Sequence, residues 1–154
     1  MTPNELEQVL KRADVLCTER GVTLTDQRRK VLRLLCESDQ PLTAYELLER
    51  MKRGSKTPAP TVVYRALDFL WEQGLVHKIQ SLHAWIGCTH PEHPHSSQFL
   101  ICEDCGEVAE VEDPRLSQSV EDTSAAAGFQ TTRPIVELFG TCAQCSRKDP
   151  TDDD

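Results

Sequence analysis

The chain has 154 residues, 38% of them hydrophobic and 27% charged, the make-up of a folded globular protein rather than a disordered segment. No apolar run approaches the ~20 residues needed to cross a bilayer, and the opening Met1-Thr2-Pro3-Asn4-Glu5 lacks the basic-then-apolar layout of a secretory signal. A cytoplasmic setting is therefore expected, with the seven cysteines serving as thiols or metal ligands rather than disulfides.

The formal charge of -8 argues against a uniformly basic nucleic-acid binder, but it is unevenly spread. Residues 1–80 carry 13 Lys/Arg against 11 Asp/Glu, whereas residues 81–154 carry 4 against 14. Two parts with different tasks follow from this split. All five histidines and five of the seven cysteines lie between His77 and Cys145, mostly in the acidic part, where cations are drawn.

In chain order, Asn4–Thr18 places Leu6, Leu10, Ala13 and Cys17 at spacings of three and four, an amphipathic helix that Gly21 ends. Thr25 is the expected N-cap of a second helix, with Val31, Leu32, Leu34 and Leu35 as its apolar positions. After the break at Asp39-Gln40-Pro41, Thr43 and Glu46 form a capping-box pair for a third helix reaching Lys52. Pro58 and Pro60 interrupt the pattern, and a fourth helix is expected from Thr61 to just before Gly74. Its periodicity turns Val63, Ala66, Leu67 and Leu70 inward and throws Arg65, Asp68 and Glu72 outward, with Tyr64 on the flank. Leu75–Gly87 then reads as a small hairpin with a turn near Ser81.

Short helices followed by a hairpin match a winged helix-turn-helix, in which the fourth helix would enter the major groove. Helix order alone fits equally a helical domain with no nucleic-acid role. Pro91 and Pro94 mark a stiff boundary. Beyond it, Ser97–Ile101 and Val108–Val111 read as strands and Pro114 to about Ala127 as a helix with Leu116, Val120 and Ala127 inward. Thr131–Phe139 reads as a further strand, and the closing acidic residues as a solvated tail. The expected fold class is α+β, divided into a winged-helix domain at 1–87, a hinge at 88–95, a C-terminal domain at 96–146 and a tail at 147–154.

Two CxxC pairs, Cys102/Cys105 and Cys142/Cys145, are separated by 36 residues and flank one α+β unit. Each places two thiolates on one turn, and two such turns supply the closed tetrahedral S4 shell suited to structural Zn2+. Redox pairs are the rival reading, but such motifs normally occur singly. A small acidic domain with few large apolar residues has little core of its own, so metal binding would contribute to its folding. Cys88, His77, His83, His90, His93, His95 and nearby carboxylates remain. They bring together the end of one domain, the hinge and the start of the next, a layout suited to an ion that senses rather than folds. Spacing alone does not select four ligands among them.

The chain resembles the Fur (ferric uptake regulator) family of bacterial metal-responsive repressors over roughly residues 7–146, closest to its zinc-uptake-regulator branch. The resemblance rests on Thr25-Asp26-Gln27-Arg28, on Ala44-Tyr45-Glu46-Leu47-Leu48 and on Val63-Tyr64-Arg65-Ala66-Leu67 with Glu72-Gln73-Gly74-Leu75-Val76-His77. It also rests on the run from His95 through Ser96-Ser97-Gln98-Phe99-Leu100-Ile101 to Cys102-Glu103-Asp104-Cys105-Gly106, and on the closing Cys142-Ala143-Gln144-Cys145. It implies an N-terminal winged helix-turn-helix domain, a hinge and a C-terminal α/β dimerisation domain whose structural zinc is held by Cys102, Cys105, Cys142 and Cys145. It implies a regulatory zinc site at His77, Cys88, His95 and Glu110, and leaves His83, His90 and His93 as candidates for an additional site. One thiolate, two imidazoles and one carboxylate favour tetrahedral Zn2+ over iron or manganese, and the filled site would be formally neutral.

For DNA contact the resemblance points to Tyr45, Tyr64 and Arg65, with Arg65 able to make a bidentate bond to guanine. Arg28, Arg29 and Lys30 read as phosphate anchors. Asp26 and Val62 stand where the family commonly has Pro and Thr, with Thr61 as a replacement cap for the fourth helix. The implied function is a zinc-responsive repressor: a homodimer, alone or as two dimers, on a palindromic operator of zinc-uptake genes, with no catalytic step. The alternatives are an iron- or peroxide-responsive regulator of the same family, a zinc metalloenzyme using His77, Cys88 and His95 with Glu110 as base, and a zinc-stabilised protein-interaction module. Cys88 argues against the first, and the near-complete use of protein ligands argues against the second.

Overall fold

A computed structural model describes residues 1–53, 58–88, 90–92 and 96–147. The chain forms two compact units, Met1–Pro94 and His95–Asp154. No helix among the described residues is long and apolar enough to cross a membrane.

In the first unit, α1 (Pro3–Glu19) begins with Thr2 and Glu5 in a reciprocal capping box. Its stripe of Leu6, Val9, Leu10, Ala13 and Cys17 is buried, which seats the helix on the core. The helix α2 (Asp26–Glu37) is capped by Thr25, which accepts from the Arg28 N–H, and buries Val31, Leu32 and Leu35, while Leu34 is half-buried. A two-residue strand β1 (Leu42–Thr43) leads into α3 (Ala44–Met51), where Thr43 and Glu46 form a second capping box. The helix α4 (Pro60–Glu72) buries Val63, Ala66, Leu67 and Leu70, as its periodicity requires.

The start of α4 corrects the expectation of a Thr61 cap: Ala59 is the N-cap, no side chain caps the helix, and Thr61 lies inside its first turn. Pro60 at the first helical position explains the shift, since its ring presets the helical φ and it has no N–H to leave unpaired. Strands β2 (Val76–Ile79) and β3 (Ala84–Gly87) form the expected hairpin, and β1 adds to β3 through Leu42 opposite Trp85. The turn is a single 3-10 turn, Gln80–Leu82, closed by His83 at φ 49, a left-handed conformation in which histidine is more common than most side chains.

In the second unit, β4 (Gln98–Cys102) is the central strand. It pairs antiparallel with β5 (Val108–Val111) and parallel with β6 (Val136–Gly140). The crossover between β5 and β6 carries α5 (Pro114–Ala126), capped by Asp113. Gln98 is the buried polar group that joins them: its amide donates to Ser96 O and Ser117 Oγ, and its carbonyl accepts the Asp113 N–H. Two expectations are corrected. Ala127 is exposed and ends α5 rather than facing inward, while Leu116 and Val120 are half-buried. The last strand starts at Val136, not Thr131; Pro134 has no N–H for a ladder, and Ile135 is exposed. Leu100, Leu138 and Phe139 are also exposed, so this sheet presents apolar side chains outward. Arg147 ends a short 3-10 turn, Cys145–Arg147, and the rest of the expected tail lies outside the described residues.

Candidate metal centres and nucleic-acid interface

The parallel pairing of β4 with β6 sets Cys102 opposite Gly140, so both strands deliver a CxxC turn at the same end of the sheet. The first turn closes with the Gly106 N–H donating to Cys102 O, and Gly106 takes φ 76, which a side chain would disfavour. The second closes with the Ser146 N–H donating to Cys142 O. The Glu103 N–H donates to Gly140 O and the Cys142 N–H to Cys102 Sγ, which joins the two turns.

The four sulfurs of Cys102, Cys105, Cys142 and Cys145 lie within 4.8 Å of one another, with Cys105 and Cys142 3.8 Å apart, and all four are free thiols. A tetrahedral shell with Zn–S bonds of about 2.3 Å has sulfur–sulfur edges of about 3.8 Å, so the cluster fits a zinc ion with little rearrangement. Backbone N–H groups of Cys142 and Cys105 aimed at Cys102 pull its thiol down to about 6. Cys145, hydrogen-bonded to Cys142 and crowded by the other sulfurs, is pushed up to about 12. Cys102 forms a thiolate readily, whereas Cys105 and Cys145 resist until a cation compensates them, the electrostatics expected of a metal shell. The three remaining cysteines, Cys17, Cys36 and Cys88, are buried in the first unit, outside this cluster.

Cys88 and His77 belong to the first unit. His77 lies on β2 opposite Ile86, and Cys88 directly follows β3, buried, with its N–H donating to Leu75 O. The hairpin register folds them back on one another, and a donor atom of each lies within 4.8 Å of the other. Glu110 belongs to the second unit, on β5 opposite Phe99, half-buried and accepting a hydrogen bond of 2.5 Å from Ser97 Oγ. His95 and His93 lie outside the described residues. His83 and His90 are exposed, His83 at the tip of the hairpin.

Of the expected DNA-contacting residues, Tyr45 is 70% exposed at the start of α3 and Tyr64 54% exposed on α4. Arg65 is exposed beside Tyr64, and Lys30 is exposed on α2. Arg28 and Arg29 are placed differently. The Arg28 guanidinium lies 3.7 Å over the Phe69 ring of α4 and donates to Thr23 O, and Arg29 pairs with Asp14 of α1 at 3.0 Å. Both cations therefore hold helices together, an occupation the sequence does not announce because Phe69 and Asp14 are remote from them along the chain.

Residues 19–139 match the ferric uptake regulator family. The zinc uptake regulation protein of Escherichia coli (strain K12) is 37% identical over 150 residues, covering 94% of this chain and 85% of that protein. The protein of the same description from Mycobacterium tuberculosis (strain ATCC 25618 / H37Rv) is 31% identical, covering 81% of this chain and 95% of that one. Among solved structures, a zinc uptake regulator complexed with zinc and DNA aligns with a TM-score of 0.88 at 36% identity, over 95% of this chain and 97% of the other.

Proposed function

The chain belongs to the ferric uptake regulator family, and we propose that it is a zinc-responsive transcriptional repressor. In this reading a cytoplasmic homodimer, bound as one dimer or two, recognises a palindromic operator and shuts off zinc-uptake genes when zinc is plentiful. The observation that carries it is the His77–Cys88 pair at the base of the hairpin, in the same unit as α4 with its outward Tyr64 and Arg65. A thiol beside an imidazole is a soft donor set that selects zinc over iron or manganese. The Cys88 backbone is joined to the segment that follows the reading helix, since its N–H is bonded to Leu75 O, just beyond the end of α4. The names of the relatives above and the zinc- and DNA-bound structure support the same assignment.

Two metal roles follow. Cys102, Cys105, Cys142 and Cys145 would hold a structural zinc that stabilises the second unit. His77, Cys88, His95 and Glu110 would take up the regulatory zinc, whose two positive charges offset those of the thiolate and carboxylate that bind it. Neutralising them favours approach to a polyanion, and fixing the linker between the units limits the poses of the reading helices. His83, His90 and His93 are left as candidates for a further ion. Tyr45, Tyr64 and Arg65 would contact bases and sugars, and Lys30 would anchor phosphate. The test is selection of duplexes from a random pool by the full-length protein, with zinc and with a chelator. Enrichment of one palindrome only with zinc is expected; the same enrichment without zinc contradicts the reading.

A further inference from the structure

We propose that Arg28 is a positioning residue for DNA reading, acting through Phe69 on α4 rather than by touching a phosphate. Its guanidinium is engaged at two points: Cζ lies over the Phe69 ring, 3.7 Å from its centroid, and Nη1 donates to Thr23 O at 2.7 Å. Thr23 precedes α2 and Phe69 belongs to α4, so one side chain ties the entry of the first helix to the flank of the second. A planar cation that stacks and donates at once has a defined orientation, which a lysine ammonium cannot reproduce.

Phe69 lies one turn beyond Arg65, about 6 Å along the axis of the same helix. A helix is stiff over one turn, so a tilt of α4 at Phe69 is carried to Tyr64 and Arg65. A second guanidinium holds the far end of α4: Arg20, at the end of α1, donates from Nη1 to the backbone carbonyl of Gln73, 2.7 Å away, and lies 3.4 Å from its Oε1. That carbonyl is at the C-cap of α4, where a cation also complements the helix dipole. Two arginines from preceding elements thus fix the pose of α4, and Lys30, exposed on α2, is the contrasting cation that is open to phosphate.

The proposal rests on the reading of α4 as the recognition helix, and its test separates the two. The zinc-loaded full-length protein is titrated against a duplex it selects from a random pool and against a scrambled duplex of equal composition, over a series of salt concentrations. Losing a phosphate contact lowers the salt slope by about 0.9 and weakens both duplexes alike, whereas losing position lowers only the discrimination between them. We expect Arg28→Gln and Phe69→Leu each to reduce discrimination on the order of tenfold with the slope unchanged, and the double variant to add little. Arg28→Lys, which keeps the charge, should fall short of wild type in discrimination. Thermal melts of each variant establish that the first unit is folded at the assay temperature, and Phe69→Leu reports the same contact without any change of charge. If Arg28→Gln lowers the slope and weakens both duplexes equally, or if Arg28→Lys matches wild type, the positioning role is wrong while DNA reading stands. A wild type that selects no sequence removes both.

Discussion

The backbone N–H of Cys142 points at the sulfur of Cys102, 3.3 Å away, and ties the second CxxC turn to the first across 40 residues of chain. The contact follows from the parallel β4–β6 register, which ends with Cys102 opposite Gly140. It makes the four-sulfur cluster part of the sheet rather than an appendage to it. In a unit whose helix α5 has no fully buried residue, that connection matters for folding.

Replacing Cys142 by Ser should therefore remove one zinc per chain and unfold the second unit, while the first unit keeps its helices. Metal counting after chelator treatment, with circular dichroism on the same sample, checks both halves of this expectation. Full metal content and an unchanged spectrum in C142S would disprove it.

A tight contact in the first unit gives a separate prediction. A Cβ placed on Gly87 would stand 2.6 Å from Cys36 Sγ. Gly87→Ala should cost about 1–3 kcal/mol through overpacking, and shortening the opposing side chain with Cys36→Ala should recover most of it. Denaturant midpoints of the two single variants and the double variant decide the matter. Because Gly87 immediately precedes Cys88, G87A should also weaken the zinc response more than C36A/G87A does.

Burial lifts the Cys36 thiol to about 11, from an ordinary value of 9.0. Below pH 9 both folded and unfolded chains keep this proton, and the stabilising difference is intact. Between about 9 and 11 the unfolded chain ionises first, so stability falls as pH rises, by up to about 2–3 kcal/mol once both forms have titrated. Unfolding curves from pH 8 upward should show this decline in wild type and a shallower one in C36A. Parallel curves would refute the assignment.

The residues proposed to contact DNA divide by what their loss should change. Arg65→Ala should reduce discrimination by about 1–3 kcal/mol at one position of the selected duplex. Lys30→Gln should weaken all duplexes alike and lower the salt slope by about 0.9. Anisotropy titrations at several salt concentrations separate the two, and a reversal of these effects would interchange the roles given to the residues.

Much of the first unit was legible because its signals are local. The Thr25 cap, the Thr43–Glu46 box and the inward Val63, Ala66, Leu67 and Leu70 each follow from residues three or four apart. The start of α4 was misplaced because a threonine looks like a cap, while Pro60 sets the helix one residue earlier without any side-chain bond. Strand β1 was invisible, since two residues next to a proline carry no periodicity and their pairing with Trp85 and Ala84 is long-range. Arg28 illustrates the same limit: its charge suggested DNA, and only the fold brings Phe69 beneath it. For the metal centres, the CxxC spacing spoke for itself, whereas the hairpin register was needed to bring His77 to Cys88.

The most direct test of zinc-controlled repression is a titration of the selected duplex with full-length protein at buffered free-zinc levels, comparing wild type with C88S. Wild type should pass from weak to tight binding over a narrow zinc range. C88S should stay weak throughout that range, while keeping one chelator-resistant zinc per chain. Zinc-independent tight binding by wild type, or a normal response from C88S, would contradict the account.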